Sequence, residues 1–275
     1  MPELPEVEAL RRSLDERVRR SPVARAGPAH VATVKTFDPP LTALEGRTLA
    51  GARRRGKHLL FPTTDAQLVL HVHLMTAGRL RYLPRGEERR GAPAFQLAFE
   101  DGAVLVLTEA GAKKRARVAL YRAAESEAEL AHLGPDALGI GREQLLEILA
   151  AEPRRLHSLL RDQRALAGIG RAWANEILHR ARLSPYALST ELETAEVERL
   201  ASAIDDVLSE GVELRESGAG DRKAYRIHDR LGEPCPACGT AIARIDFEEH
   251  TVFYCPDCQT GGRILKDRRL SRLLR

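Results

Sequence analysis

The spacing of apolar residues at the start of the chain predicts an α-helix. Val7, Leu10, Leu14 and Val18 recur every three or four residues, which places them on one face of a helix. Charged side chains such as Arg11 occupy the positions between them. We therefore expect an N-terminal helix that buries one face.

Between residues 30 and 122 the helical spacing gives way to short apolar runs that are typical of β-strands. Strands are expected at His30–Phe37, His58–Phe61, Leu68–Leu74, Phe95–Phe99 and Val104–Leu107. Asp101-Gly102, which separates the last two runs, is a strong signal for a hairpin turn. Several short strands joined by tight turns predict a β-sandwich or a small barrel.

Helical spacing returns in the second half of the chain. The segment from Gly134-Pro135 to Gly141 is the best candidate for a linker between the two halves. Beyond it, apolar residues recur at helical spacing, and those from Val197 to Leu208 predict a long amphipathic helix. The fold class indicated by the two halves is α+β and multidomain, with an N-terminal helix and β-sandwich followed by a helical domain.

Composition and charge restrict the classes of function. Hydrophobic residues make up 43% of the chain, which is enough for two buried cores, and the net charge is +4. The segment 263–275 carries six basic residues against one acidic residue, so it alone contributes +5. Such a tail favours contact with a polyanion, although a solvated tail is an equally common explanation. Because no apolar run approaches the roughly 20 residues that span a bilayer, we expect no membrane association and a cytoplasmic location.

The four cysteines predict a metal site. They form two pairs, Cys235-Pro-Ala-Cys238 and Cys255-Pro-Asp-Cys258, with sixteen residues between the pairs. Two Cys-x-x-Cys turns at the ends of a β-hairpin bring four thiolates around one tetrahedral Zn²⁺. Since four protein ligands leave no open position, one structural zinc ion is expected. Disulfides or an iron–sulfur cluster are the alternatives.

The first residues of the chain are a candidate for amine chemistry. Removal of Met1 would make the ring nitrogen of Pro2 a secondary amine with a pKa of roughly 8. An amine of this kind attacks an aldehyde-like sugar carbon and forms a Schiff base. Glu3 could move the protons that ring opening and elimination require. The alternative is that Pro5 simply starts a helix whose first turn the nearby glutamates stabilise.

Three segments together resemble one known family. The start Met1-Pro2-Glu3-Leu4-Pro5-Glu6 resembles that of the formamidopyrimidine-DNA glycosylase and endonuclease VIII family, with Leu4 closer to the formamidopyrimidine branch. The turn Gly168-Ile169-Gly170 before a predicted helix, and the cysteine pattern followed by Gln259, resemble the same family. The resemblance implies a helix-two-turn-helix domain with a β-hairpin zinc ribbon. It also implies a base-excision-repair DNA glycosylase with abasic-site lyase activity, which flips the damaged base out of the helix.

The resemblance also assigns roles to individual residues. Pro2 is the nucleophile, Glu3 is the acid and base, and Glu6 orders the site. Lys57, which follows Gly56 before an apolar strand, contacts the phosphate beside the lesion. Without the resemblance, a basic residue at a strand end is usually only solvated.

Two phosphate-binding positions depart from the family pattern. Arg171 stands where the family has Asn, and Asn175 lies one helical turn later and could substitute for it. Arg still makes bidentate phosphate contacts. His250 stands where the zinc hairpin of the family carries Arg, and a His carries a full charge only below about pH 6.5.

The residues that fill the gap left by a flipped base depart as well. The Met of the family falls on Thr76, with Met75 next to it, and its Arg and Phe fall on Lys113 and Arg115. A cationic wedge thus replaces an apolar one. We therefore expect an atypical lesion spectrum.

The predicted organisation has five parts, which are a catalytic β-sandwich (1–133), a linker with a first helix (134–149), a helix-two-turn-helix domain (150–228), a zinc ribbon (229–262) and a basic tail (263–275). The expected partner of a monomer is damaged double-stranded DNA, or single-stranded or bubble DNA. Two alternatives remain, a non-catalytic zinc-ribbon protein that recognises damage and a glycosylase for an unusual adduct.

Overall fold

The computed structural model describes residues 1–87, 91–111, 113–247 and 250–266. The chain forms two compact units, Met1–His132 and Leu133–Arg275. Within the described ranges, no helix has both the length and the apolar character needed to cross a membrane.

The first unit is an N-terminal helix on a β-sandwich. Helix α1 spans Leu4–Val18, and a 3-10 helix spans Leu41–Leu44. The strands are β1 (Val23–Ala29), β2 (Arg53–Arg55), β3 (His58–Pro62), β4 (Leu68–His73), β5 (Gly78–Leu83), β6 (Phe95–Phe99), β7 (Val104–Glu109) and β8 (Arg117–Arg122), and helix α2 (Ala123–Leu130) follows them. One antiparallel sheet has the order β1-β6-β7-β5, and the other has the order β2-β3-β4-β8.

Alternation along the strands builds the core of this unit. Leu59 and Phe61 of β3 and Leu70 and Val72 of β4 are fully buried on the inner face of their sheet. They belong to one cluster with residues of the other sheet and with the apolar face of α1. The sandwich and the N-terminal helix are therefore as the sequence predicts, because one buried face requires that alternation.

One predicted strand is wrong. Residues 30–37 form turns and a single bridge, and Phe37 is 77% exposed. Their β-branched residues favour a strand, but this segment reverses direction through a hydrogen bond from the Thr33 N–H to the His30 carbonyl. The preceding strand β1 was missed because it contains Gly27 and Pro28, which have low β-propensity. Strands β2, β5 and β8, which carry several arginines, were also missed.

The second unit is helical and ends in a β-hairpin. Its elements are α3 (Arg142–Ala150), α4 (Leu156–Arg161), α5 (Arg171–Arg180), α6 (Thr194–Glu216), α7 (Asp221–Ala224), β9 (Ala243–Phe247), β10 (His250–Tyr254) and α8 (Pro256–Thr260), with a 3-10 helix at Ser189–Glu191. Helices α5 and α6 pack closely where Trp173 meets Gly211, since a Cβ on Gly211 would lie 2.4 Å from the indole ring. Trp173 is 1% exposed, so it is a core residue.

Candidate functional site

The N-terminal segment is held rigidly in front of helix α1. Glu3 is the N-cap residue, and its backbone N–H donates to the Glu6 Oε2 at 2.8 Å, while its own carboxylate accepts from the Glu6 N–H. This reciprocal pair is a capping box. Glu3 is 3% exposed and Pro2 is half-buried. The helix cap is thus present, and it fixes the backbone directly after Pro2.

An ion-pair network joins α1 to the turn that carries Lys57. The Arg54 Nε donates to the Glu8 carboxylate at 2.9 Å, and another guanidinium nitrogen of Arg54 donates to the Gly56 carbonyl at 3.0 Å. Arg54 and Glu8 are both almost fully buried. The sequence interpretation did not anticipate the pairing of Glu8 with Arg54, because a contact over 46 positions leaves no local pattern. The network places the first turns of α1 beside the β2–β3 turn.

Glu8 is strongly acidic in this network. Burial alone raises the pKa of this carboxyl, but hydrogen bonds from Arg11, Arg54 and Arg12 outweigh burial and lower the pKa to about 2. A buried carboxylate with three guanidinium partners must stay ionised for the network to hold.

Replacing Glu8 with Gln is expected to destabilise the protein in a pH-dependent way. Because the folded pKa is lower than the unfolded one, Glu8 stabilises the fold above about pH 4.5, and this contribution disappears as the pH falls towards 2. The cost at pH 7 should be about 2–3 kcal/mol. Denaturant unfolding at pH 7 and pH 3 measures it. The exposed Glu16→Gln on the same helix is the control, and equal stabilities of the two variants at pH 7 would contradict the prediction.

Lys57 occupies the tight turn between β2 and β3. Gly56 has a φ of +55°, which the turn requires, and Lys57 is 7% exposed. Strand pairing then aligns Arg55, His58, His73 and Arg117 in one row across the outer face of the sheet. Burial, followed by the charges of Lys57 and Arg117, lowers the pKa of His73 to about 4. His73 is therefore neutral at pH 7 and lies close to Lys57.

The candidate wedge residues lie on two neighbouring loops. The β4–β5 connection carries Met75 and Thr76, and the β7–β8 connection carries Lys113 and Arg115. Both connections cross from one sheet to the other at the same end of the sandwich, since Gly78 pairs with Glu109 and His73 pairs with Arg117. Thr76, Lys113 and Arg115 are exposed, whereas Met75 is half-buried. The structure therefore brings these four residues to one edge of the first unit.

Buried contacts shape both loops. The Glu109 carboxylate is 7% exposed and accepts the backbone N–H groups of Arg115 and Ala116 at 2.8–3.0 Å. The Met75 N–H donates to the His73 Nδ1 at 3.0 Å, and Met75 has a φ of +51°. Glu109 had no assigned role in the sequence interpretation, because its partners depend on how the loop folds back.

In the second unit, a Gly-rich turn opens helix α5. Gly170 is the N-cap residue, and Arg171 is exposed at the first helical position. The Gln163 side chain shapes the turn, because its Oε1 accepts from the Gly168 N–H and its Nε2 donates to the Ile169 carbonyl. Arg171 and the backbone N–H groups at this helix start are well placed to bind an anion.

Asn175 has a different environment from Arg171. It is 1% exposed, and its Nδ2 lies 2.8 Å from the His228 Nδ1. This position favours a role in holding the segment after α7 against α5. The next residue does the same, since the buried carboxylate of Glu176 accepts the backbone N–H groups of residues 226–228.

The four cysteines come together at the hairpin. The sulfur atoms of Cys235, Cys238, Cys255 and Cys258 all lie within 4.8 Å of one another. The Sγ atoms of Cys238 and Cys255 are 3.4 Å apart, and those of Cys235 and Cys258 are 3.9 Å apart. Thiolates around a tetrahedral zinc ion with bonds of about 2.3 Å are about 3.8 Å apart. The donor set and its spacing therefore fit one structural Zn²⁺.

Two other predictions concern this end of the chain. His250 begins β10, where its backbone pairs with Phe247, and its side chain lies outside the described residues. Of the basic tail, residues 267–275 also lie outside them.

Family models match the chain along almost its whole length. They are the formamidopyrimidine-DNA glycosylase N-terminal domain at residues 1–133, the formamidopyrimidine-DNA glycosylase H2TH domain at 133–223, and the zinc finger found in FPG and IleRS at 232–261. A formamidopyrimidine-DNA glycosylase of Pelotomaculum thermopropionicum is 33% identical over 281 residues, covering 94% of this chain and 99% of that protein. An uncharacterized formamidopyrimidine-DNA glycosylase-like protein of Mycobacterium tuberculosis is 42% identical over 150 residues, covering 52% of this chain and 94% of that protein.

Solved structures share the fold. MutM in complex with DNA containing carbocyclic 8-oxo-G has a TM-score of 0.83 at 25% identity, over 94% of this chain and all of that chain. Lactococcus lactis Fpg with abasic-site DNA has a TM-score of 0.84 at 23% identity, over 94% of this chain and 99% of that chain.

The three matched domains, a glycosylase N-terminal domain, an H2TH domain and a zinc finger, together define a DNA glycosylase of base-excision repair. The chain belongs to the formamidopyrimidine-DNA glycosylase family. The predicted family, fold class, enzyme class and structural zinc ion are thereby confirmed.

Proposed function

We propose that this protein removes a damaged base from DNA and then cleaves the abasic site through a Schiff base on Pro2. The observation that carries this proposal is the N-terminal segment itself. Pro2 stands at the start of a helix whose capping box fixes Glu3 and Glu6, so a freed amine at this position would have a defined direction. Preorganisation of this kind is what a nucleophile needs.

The proposed chemistry begins once Met1 has been removed. The Pro2 nitrogen attacks the C1′ carbon of the flipped nucleotide, and the bond from that carbon to the base breaks. Glu3 supplies and removes protons, so that the sugar ring opens and an iminium ion forms between Pro2 and C1′. Loss of a proton from C2′ then expels the 3′ phosphate, and water releases Pro2.

The proposed DNA contacts divide into two groups. Lys57 and Arg171 bind phosphate, and His250 stands at a further position for such a contact. The loops with Met75 and Thr76 and with Lys113 and Arg115 enter the gap left by the flipped base. Support comes from the buried turn that holds Lys57 and from the two loops meeting at one edge. The substrate class is damaged double-stranded DNA, and we place the activity in the cytoplasm, where such DNA is repaired in cells without a nucleus.

Borohydride trapping tests the proposal. Protein shown by mass spectrometry to begin at Pro2 should form a stable covalent adduct with abasic-site DNA, because borohydride reduces the iminium ion. Protein that keeps Met1 is the matched control, since its Pro2 nitrogen is an amide and cannot react. A protein that binds the DNA but gives no adduct from either form would be a non-catalytic damage binder.

The lesion spectrum is expected to depend on how much base flipping costs. Flipping from a paired duplex costs a few kcal/mol, and apolar side chains that fill the stack normally offset this cost. Thr76 is short, and the exposed Lys113 and Arg115 have charged ends that favour phosphate. We therefore expect weak excision of 8-oxoguanine paired with cytosine, and faster cleavage of abasic, single-stranded or bubble DNA. Side-by-side single-turnover rates measure this, and efficient excision from the paired duplex with no gain in a bubble would contradict it.

A further inference from the structure

A histidine of the helical unit contacts one of the zinc ligands. His179 lies in the last turn of α5 and is 7% exposed. Its Nε2 is 3.2 Å from the Sγ of Cys235. A zinc-bound cysteine is a thiolate and has no proton to donate. In the zinc-loaded protein, the Nε2–H of His179 must therefore be the donor and the sulfur the acceptor.

A second side chain, that of Gln259, joins the ribbon to the segment after α5 by hydrogen bonds to backbone groups. Gln259 accepts the Cys255 N–H through its Oε1 at 2.8 Å and donates from its Nε2 to the Leu183 carbonyl at 2.9 Å. Gln259 therefore docks the second cysteine pair just after α5 through two hydrogen bonds to backbone groups. His179 bonds to the sulfur of a zinc ligand, whereas Gln259 only attaches the ribbon to the segment after α5. Variants of the two residues therefore distinguish an effect on the ligand from an effect of attachment.

We propose that His179 is a positioning residue for the zinc site, which donates a hydrogen bond to the Cys235 thiolate. Four thiolates and one Zn²⁺ give the site a net charge of −2. A donor to sulfur withdraws part of this charge, makes the thiolate less nucleophilic and orients it towards the metal. The same bond ties the first cysteine pair to the end of α5.

The His179 bond should also affect DNA binding, and this part of the proposal rests on the proposed function. Arg171 lies at the other end of α5, about 12 Å away along the helix axis. Because one rigid helix carries both ends, loss of the His179 bond is expected to loosen the ribbon and weaken DNA binding only as a secondary effect. The zinc readouts below do not depend on any catalytic activity.

Three variants of the full-length protein test the proposal. His179→Phe keeps a buried ring but removes the donor, and His179→Gln keeps an amide N–H at a similar reach. Gln259→Leu is the control that loosens docking but leaves the donor to sulfur in place. The measurements are the thiolate-to-metal charge-transfer band of the cobalt-substituted protein, the rate of zinc transfer to a chelator, and the rate of cysteine alkylation.

His179→Phe should move the charge-transfer band to lower energy, because sulfur electrons are no longer stabilised by the hydrogen bond. Zinc affinity should fall by about 10- to 100-fold, the range for lost outer partners of metal ligands. Cysteine alkylation should be faster. His179→Gln should restore the band and most of the zinc retention, whereas Gln259→Leu should leave the band unmoved.

The proposal is overturned if the band is the same in His179→Phe and the parent protein. It is also overturned if Gln259→Leu shifts the band as much as His179→Phe does, since docking alone would then explain the effect. If His179→Phe does not fold, the Gln variant decides, because a charge-transfer band at lower energy than that of the parent protein, with faster zinc loss, would show that a donor at this position does not act on the sulfur and would overturn the proposal. If the parent protein gives no trapped DNA adduct but His179→Phe shifts the band as expected, the result counts against the proposed function and supports the His179 proposal.

Discussion

Protein with Pro2→Gly and Glu3→Gln together should lose nearly all abasic-site cleavage while keeping its fold. Pro2→Gly replaces a ring amine with a flexible primary amine, which still can react but has no fixed direction. Glu3→Gln removes the group proposed to move protons, a role that typically contributes about 10²- to 10⁴-fold. The amide oxygen of Gln can still accept the Glu6 N–H, so the capping box persists.

Single-turnover kinetics on abasic-site DNA measure this loss, with binding affinity determined on the same DNA. Each single variant should show which step it affects, since Pro2→Gly should slow adduct formation on abasic-site DNA, and Glu3→Gln should slow excision from DNA with a damaged base more than it weakens binding. Glu16→Gln is the matched control, because it makes the same change at an exposed position of helix α1 that has no proposed part in the reaction. Undiminished cleavage by the double variant would exclude Pro2 as the nucleophile.

The parts of the fold that the sequence predicted are those with a local repeat. The face of α1, the buried alternation of β3 and β4, and the cysteine pairs of the ribbon each depend on residues a few positions apart. The turn before α5 was also found this way, since Gly168 and Gly170 stand directly at the helix start.

The parts that were missed depend on residues far apart in the chain. The β1 strand exists because it pairs with β6, and its own Gly27 and Pro28 argue against it. Glu8 meets Arg54 across 46 positions. A period of two or 3.6 residues says nothing of such pairs, and a buried glutamate looks the same in a sequence as an exposed one.

The candidate site shows the same division. Pro2 and Glu3 were proposed from their place at the start of the chain and Lys57 from the family resemblance, but the closeness of His73 to Lys57 required the register of β3 and β4. Asn175 was considered for phosphate binding because it is one turn after Arg171. It points instead to His228, a partner 53 positions away.

Replacing Cys238 with Ser is expected to unfold the zinc ribbon and leave the β-sandwich intact. The ribbon has a small core of its own, in which Ile227, Ile242 and Phe253 pack with the cysteines. Zinc binding in ribbons of this size supplies about 10–16 kcal/mol, so the metal and not the core stabilises the hairpin. Cys238 is itself exposed, so a serine there disturbs no packing, and any unfolding follows from the lost ligand.

Ala237→Ser is the matched control for Cys238→Ser, because it introduces a serine in the same turn and keeps all four zinc ligands. Ala237 is exposed in the same turn, and its backbone N–H contacts the Cys235 sulfur, which the substitution leaves unchanged. Elemental analysis should find one zinc per chain in Ala237→Ser and in the parent protein, and much less in Cys238→Ser. Hydrogen exchange should then become fast in β9 and β10 of Cys238→Ser, while β3 and β4 stay protected and DNA binding weakens. Because both substitutions introduce a serine at an exposed position of one turn, slow exchange in a zinc-free hairpin would mean that the ribbon folds without its metal.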